Sequence, residues 1–188
     1  MVPAINTTVQ PRTLLLDEDA RLVRRFLQGD SFAFETLYRR YYERVYSIAR
    51  GILLDADEAT DAAQEIFTLV FRNLDRFDHR SKFSTWLFRV AVNRSIQEGR
   101  RNRNRRRGVE LSESLPIETE ETPESDPRVQ EALERLQPSD RAILVLFYWE
   151  ELSLIEIGRS LGCGPNAAKT RLYRARERFR SAFDGEFA

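Results

Sequence analysis

The sequence predicts an all-α protein of two small helical domains joined by an acidic flexible linker, the second domain containing a helix-turn-helix. Three observations lead there. Apolar residues recur at spacings of three and four along most of the chain, the pattern of amphipathic helices. Charged residues make up 32% of the 188 positions while glycine (8) and proline (7) are scarce, a mixture that suits exposed helical faces better than sheets. The apolar period fails between about 108 and 126, and a break there leaves two units each small enough to gain stability from a partner surface.

Residues 1–16 carry Pro3 and Pro11 among small polar residues without a helical period and read as a disordered lead. From Asp17 to Gln28 the residues Leu22, Val23, Phe26 and Leu27 form an apolar stripe, which Gly29 ends. Asp30 is placed to cap a longer helix bearing Phe34, Leu37, Tyr41, Val45, Ile48 and Ile52. Asp55 and Glu58 have capping-box spacing, with Asp in the Ser/Thr place, and open a helix to about Leu74 whose inner residues are Ala59, Ala62, Ala63, Ile66, Val70 and Phe71. Ser84 is expected to cap the next helix, which fades in the arginine block, and Gly99 to end or bend it early. These elements form a first domain over 17–107. Residues 108–127 hold Pro116, Pro123, Pro127 and many glutamates, the composition of a solvated linker. The second domain, 128–184, has helical patterns over about 129–136, 139–149, 153–161 and 166–183.

Formal net charge is zero, but the charge is sorted into blocks. Arg94 to Arg107 and Lys169 to Arg180 are basic, and Glu110 to Asp126 has acidic charges only. The average hides two cationic surfaces, against which the acidic linker is expected to fold in the free protein. The single cysteine, Cys163, excludes an internal disulfide framework and points to a reducing cytoplasm. No His/Cys cluster has metal-ligand spacing, so no metal or other cofactor is expected, and no apolar run is long enough to insert in a bilayer. Nor do a nucleophile, a base and an orienting group occur together, so no catalytic residues are expected and the protein is read as no enzyme.

Ser153 to Gly162 followed by Cys163 to Leu172 reads as helix, glycine turn, helix. Gly162 permits the turn, Gly164 serves as N-cap, and Pro165 fits the first helical position. Ala168, Leu172, Ala175 and Phe179 share the packing face of the last helix. Asn166, Thr170 and Tyr173 point the opposite way, a base-reading ridge between Lys169 and Arg176 on one side and Arg171 and Arg174 on the other. A helix-turn-helix by itself indicates DNA and leaves the kind of DNA-binding protein open; a repressor or activator would bind duplex operators without polymerase.

In the first domain, Leu87, Val90 and Ala91 mark the buried side of the arginine-bearing helix, and Arg89, Asn93, Ile96 and Arg100 line the opposite face. Asn93 is its best base reader. The preceding loop, Arg76 to Ser84, mixes basic and aromatic residues as single-strand binders do, although Phe77, Phe83 and Trp86 suit the core better. Asp57, Asp61, Gln64, Glu65 and Thr68 form an exposed acidic side of the middle helix, which suits a protein partner rather than DNA.

With these motifs in view, the chain resembles the extracytoplasmic-function (ECF) class of bacterial RNA polymerase sigma factors over about Arg21 to Arg107 and Val129 to Phe183. The resemblance is carried by Phe34-Glu-Thr-Leu-Tyr-Arg-Arg-Tyr-Tyr42, Asp57-Glu-Ala-Thr-Asp-Ala-Ala-Gln-Glu-Ile-Phe67, Phe83-Ser-Thr-Trp-Leu-Phe-Arg-Val-Ala-Val-Asn93 and the second-domain run from Leu136 to Arg176. It implies that the two domains are regions 2 and 4, that the protein binds core RNA polymerase through the beta-prime clamp helices and the beta flap, and that it directs promoter recognition and opening for a stress or envelope-response regulon. By the same resemblance Asp57, Asp61, Gln64 and Glu65 face the clamp helices. Arg76, His79, Arg80, Lys82, Arg89, Asn93 and Arg100 engage the melted minus-10 element, and Asn166, Lys169, Thr170, Arg171, Tyr173 and Arg174 the duplex minus-35 element. It also implies a free monomer in the cytoplasm, with an anti-sigma factor, often membrane-anchored in relatives, as a further partner. The run Gly164-Pro165-Asn166-Ala167-Ala168 departs from the class, which often has Ser or Thr near the N-cap and a bulkier residue at the place of Ala168, so the promoter sequence does not carry over.

Overall fold

The computed structural model describes residues 11–109 and 126–185; residues 1–10 of the expected lead and 110–125 of the expected linker lie outside the described residues. The described residues form eight α-helices, one short 3-10 turn and no strand. The first domain comprises α1 (Pro11–Leu27), α2 (Ser31–Leu53), α3 (Ala56–Asn73), the 3-10 turn Leu74–Arg76, and α4 (Phe83–Val109). The second comprises α5 (Pro127–Arg135), α6 (Pro138–Tyr148), α7 (Leu154–Ser160) and α8 (Pro165–Phe183).

The caps expected at Asp30 and Asp55 form. Asp30 accepts from the Phe32 N–H at 3.1 Å and is itself clasped by Arg25, while Asp55 accepts from the Glu58 N–H at 2.8 Å. Gly29, at φ 100°, turns the chain between α1 and α2. Helix α2 is central: Ala33, Leu37, Val45, Ile48, Ala49 and Ile52 are buried between α3 and α4. Small residues on the facing helices, Ala59, Ala62, Ala63 and Ala91, allow that close approach. Asp19 of α1 is buried and accepts from the Tyr41 hydroxyl and from Arg40 Nη1 at 2.6 Å, which fastens α1 to α2. Burial pushes the Tyr41 hydroxyl well above its ordinary pKa, and the Asp19 carboxylate adds to the shift.

Four local expectations are corrected. Helix α1 begins at Pro11 rather than Asp17; a proline is accommodated in a first turn, where its missing N–H has no helical partner to lose. Helix α4 begins at Phe83, so Ser84 is inside it rather than its cap, and the Trp86 N–H bonds the Lys82 carbonyl. Gly99 neither ends nor bends α4, which continues to Val109; a Cβ there would lie 3.1 Å from Pro138 Cγ, so the glycine makes room for the second domain. Phe71, expected inside, is 51% exposed and meets the rings of Phe26 and Phe34 in T-shaped contacts, while Phe67 takes the buried position.

In the second domain Pro127, Pro138 and Pro165 each open a helix at the first position. Helix α6 is buried all round, from Asp140 and Arg141 to Leu146, because α8 covers one side and α2 and α4 cover the other. Both oxygens of Asp140 accept from Arg178 Nη1 at 2.8 Å, tying α6 to α8.

Candidate nucleic-acid interface

The helix-turn-helix is held by close backbone contact. Ser153 and Glu156 form a reciprocal capping box at the start of α7. The Cys163 N–H donates to the Gly158 carbonyl at 2.7 Å, and a Cβ on Gly158 would meet the Cys163 carbonyl oxygen at 2.7 Å, so the turn approaches α7 as closely as only glycine permits. Gly162 sits at φ 65°, as the turn requires, and Gly164 caps α8 in extended conformation. Ala168, Leu172 and Ala175 are buried against the preceding helices. The opposite face presents Asn166, Lys169, Thr170, Arg171 and Arg174, all exposed, and Tyr173 at 63% exposure. Lys169, Arg171 and Arg174 have no ion pair among the described residues. Arg176, expected to flank the ridge with Lys169, lies over the rings of Phe147 and Tyr148 at 4.9 and 5.3 Å, which fixes its charge beside the helix.

In the first domain the loop from Arg76 to Lys82 leaves the core at Phe77, which is buried with Phe83 as expected. His79 adopts a left-handed φ of 57° and its ring meets that of Phe77 at 4.6 Å. Asp78 accepts from the Arg80 N–H and pairs with its guanidinium. Lys82 is engaged: its Nζ donates to Glu156 Oε1 of α7 at 3.2 Å. Burial pushes the Glu156 carboxyl up, but the hydrogen bonds from Ser153 and Lys82 outweigh it and hold the group below its ordinary pKa. Arg89, Asn93 and Arg100 are exposed along one side of α4, while Ile96 between them is half-buried. Arg76, Arg80 and Arg89 face Arg159 and Cys163 across a cleft of about 680 Å³ between the domains. The sequence offered no sign that Arg159 would join this basic group, because it is brought there by the packing of α7 on α4.

The acidic side of α3 is exposed as expected at Asp57, Asp61, Gln64, Glu65 and Thr68. Arg94 of α4 donates to Glu65 from Nε at 2.7 Å and from Nη2, so one carboxylate of the row is partly neutralised. Gln97 and Arg72 complete a shallow cleft there with Asp61 and Gln64. Among the described residues no group of three or more His, Cys, Asp or Glu could hold a metal, and no helix is long and apolar enough to cross a membrane.

Comparison with known proteins matches residues 37–105 to Sigma-70 region 2 and residues 127–179 to Sigma-70, region 4. The chain is 32% identical over 173 residues to the ECF RNA polymerase sigma factor SigW of Bacillus subtilis, covering 84% of this chain and 92% of that protein. It is 30% identical over 179 residues to the RNA polymerase sigma-H factor of Pseudomonas aeruginosa, covering 87% and 93%. Among solved structures it resembles CnrH in complex with the cytosolic domain of CnrY, with a TM-score of 0.68, 25% identity and coverage of 89% of this chain and 98% of that one. It shares its fold with RpoE in complex with the anti-sigma factor NepR from Bartonella quintana, at a TM-score of 0.61, 23% identity and coverage of 80% and 96%.

Proposed function

Because this chain belongs to the ECF class of RNA polymerase sigma factors, whose members bind core polymerase and direct transcription initiation at promoters, we propose how its surfaces divide that work. The domain over 17–107 engages the melted minus-10 element and the domain over 128–184 the duplex minus-35 element, with residues 108–127 connecting them. Asn166, Lys169, Thr170, Arg171, Tyr173 and Arg174 read and grip the minus-35 element, and the observation that carries this assignment is the rigidly backed, solvent-facing basic ridge of α8. Arg76, His79, Arg80, Lys82, Arg89, Asn93 and Arg100 hold the opened strand, with Asn93 placed on an exposed side of α4 to bond a base edge.

Asp57, Asp61, Gln64 and Glu65 dock the beta-prime clamp helices. The exposed Tyr148, Trp149 and Ile155 suit the second domain to an apolar contact with the beta flap. Neither domain covers much DNA alone, but fixing both on polymerase makes the second contact effectively intramolecular. An anti-sigma factor is a further partner, free protein is a cytoplasmic monomer, and the regulon concerns stress or the envelope. Trapping bases that have left the duplex favours the open promoter without bond chemistry.

Transcription from a pool of genomic promoter fragments, by purified core polymerase with and without the chain, tests this division. Specific new starts that weaken in Arg171→Ala and in Asn93→Ala support it. Tight polymerase-independent binding to duplex sites, with no new starts, overturns it.

A further inference from the structure

The geometry points to a binding site for a small polyphosphate, a ligand carrying a chain of two or more phosphate groups, in the cleft where Arg76, Arg80 and Arg89 meet Arg159. The cleft measures about 680 Å³, inside the range of roughly 300–1,000 Å³ usual for small-molecule sites. Its lining carries four guanidiniums and a single carboxylate, Asp78, which Arg80 already engages at 3.5 Å. The side chains of Arg76, Arg89 and Arg159 have no hydrogen bond or ion pair among the described residues. Elsewhere, arginines drawn in by packing meet a carboxylate: Arg40 meets Asp19, Arg94 meets Glu65 and Arg178 meets Asp140.

These charges stand on both walls. A Cβ on Gly162 would lie 3.7 Å from Arg89 Nη2, so a guanidinium carried by α4 reaches the turn of the helix-turn-helix, where a glycine leaves it room. Guanidiniums gathered without a counter-charge repel one another, and an anion of several charges relieves that repulsion while accepting paired N–H bonds. Because they face each other across the cleft, a chain of phosphates fits them better than a single one. Three of the four are the arginines read above as holding the opened strand, so ligand and strand compete; that consequence rests on the sigma-factor reading, and the site itself does not.

Thr85 is a second, uncharged sign of a ligand. It lines the same cleft and is only 6% exposed. The hydroxyls of Thr36, Thr60, Thr68 and Thr170 each donate to the carbonyl four residues earlier. Thr85 lies in the first turn of α4, where the residue four earlier precedes the helix, and its hydroxyl bonds no group among the described residues. The hydroxyls of Ser95 and Ser160 are sealed in the interior; that of Thr85 is not, and it opens onto the cleft. A phosphate oxygen there would satisfy it. Trp86, half-buried in the same lining, is held by Phe77 and Phe83 at ring separations of 5.7 and 6.1 Å. It offers a fixed aromatic wall on which a base attached to the phosphate chain would stack.

Calorimetric titration of the full chain with tripolyphosphate, and separately with a nucleoside triphosphate, tests the site without polymerase or DNA. Saturable one-to-one binding is expected. It should weaken about tenfold in Arg159→Ala and severalfold in Thr85→Val, which removes the hydroxyl and keeps the shape. Cys163, the one cysteine of the chain, also lines the cleft and locates the ligand. Its alkylation by uncharged iodoacetamide should slow about tenfold at a ligand concentration about ten times the dissociation constant. Tighter binding of the nucleotide than of tripolyphosphate assigns the ligand a base on Trp86, and equal or weaker binding assigns the bare chain. The inference is overturned by no binding, by binding that leaves Cys163 as reactive as before, or by binding lost in Arg171→Ala but kept in Arg159→Ala, which would place the anion on the α8 ridge.

Discussion

Replacing Gly158 with alanine tests the packing that aims the recognition helix. In an ordinary helix interior this change gains about 1 kcal/mol through propensity. At Gly158 the new methyl would lie 2.7 Å from the Cys163 carbonyl oxygen and 3.3 Å from the Gly164 carbonyl carbon, both backbone atoms that cannot rotate away. The turn must shift by roughly half an ångström, at an overpacking cost of about 1–3 kcal/mol. The shift also stretches the bond from the Cys163 N–H to the Gly158 carbonyl, costing about 1 kcal/mol more. The net expectation is a loss of about 1–3 kcal/mol, which at about 4–8 °C per kcal/mol lowers the unfolding midpoint of a domain of this size by about 5–20 °C. Thermal unfolding followed by circular dichroism, with amide exchange across α7 and α8, measures it. Minus-35-dependent binding should weaken as well, because the start of α8 moves relative to α7. A Gly158→Ala chain that melts at or above the unmodified one would refute the close-approach reading.

Other expectations follow from single contacts. Arg178→Ala leaves the nearly buried Asp140 without its guanidinium and should cost about 1 kcal/mol once screening at the half-exposed arginine is allowed for, whereas Arg180→Ala, which loses only a surface pair with Glu177, should leave the urea midpoint nearly unchanged; equal effects would contradict this. The Glu156 carboxyl is held below its ordinary value of 4.5, so its stabilising contribution is present above that value and is lost as pH falls through the lower folded-state value. Urea midpoints followed from about pH 6 to about pH 3 should therefore fall less steeply in Glu156→Gln than in the unmodified chain. If Arg171 holds a phosphate, Arg171→Ala should reduce the slope of log affinity against log salt by about 1, and an unchanged slope would remove that role.

Much of the molecule was legible in the amino-acid order. Asp30, Asp55 and Gly164 are helix caps as their local spacing indicated, because capping depends on residues within three positions of each other. The buried set Ala168, Leu172, Ala175 and the exposed set Asn166, Thr170, Tyr173 were separable on α8 because helical periodicity alone assigns opposite faces. The exposed acidic side of α3 was readable for the same reason.

Tertiary structure decided what periodicity cannot carry. Gly99 resembles a helix breaker in the sequence, yet Pro138 fills the space beside it and α4 runs on. Phe71 stands at an inward spacing, but it lies half-exposed in T-shaped contact with the Phe26 and Phe34 rings. The apolar run Ala142 to Phe147 is uninterrupted and α6 is covered on more than one side. Its second cover is the first domain at Gly51, and the ion pairs Arg44–Glu150 and Lys82–Glu156 beside it join residues 106 and 74 positions apart in the chain. Local spacing determined where helices begin and which face each one hides; only the folded chain could bring residues so far apart into contact, since no repeat along the sequence encodes that meeting.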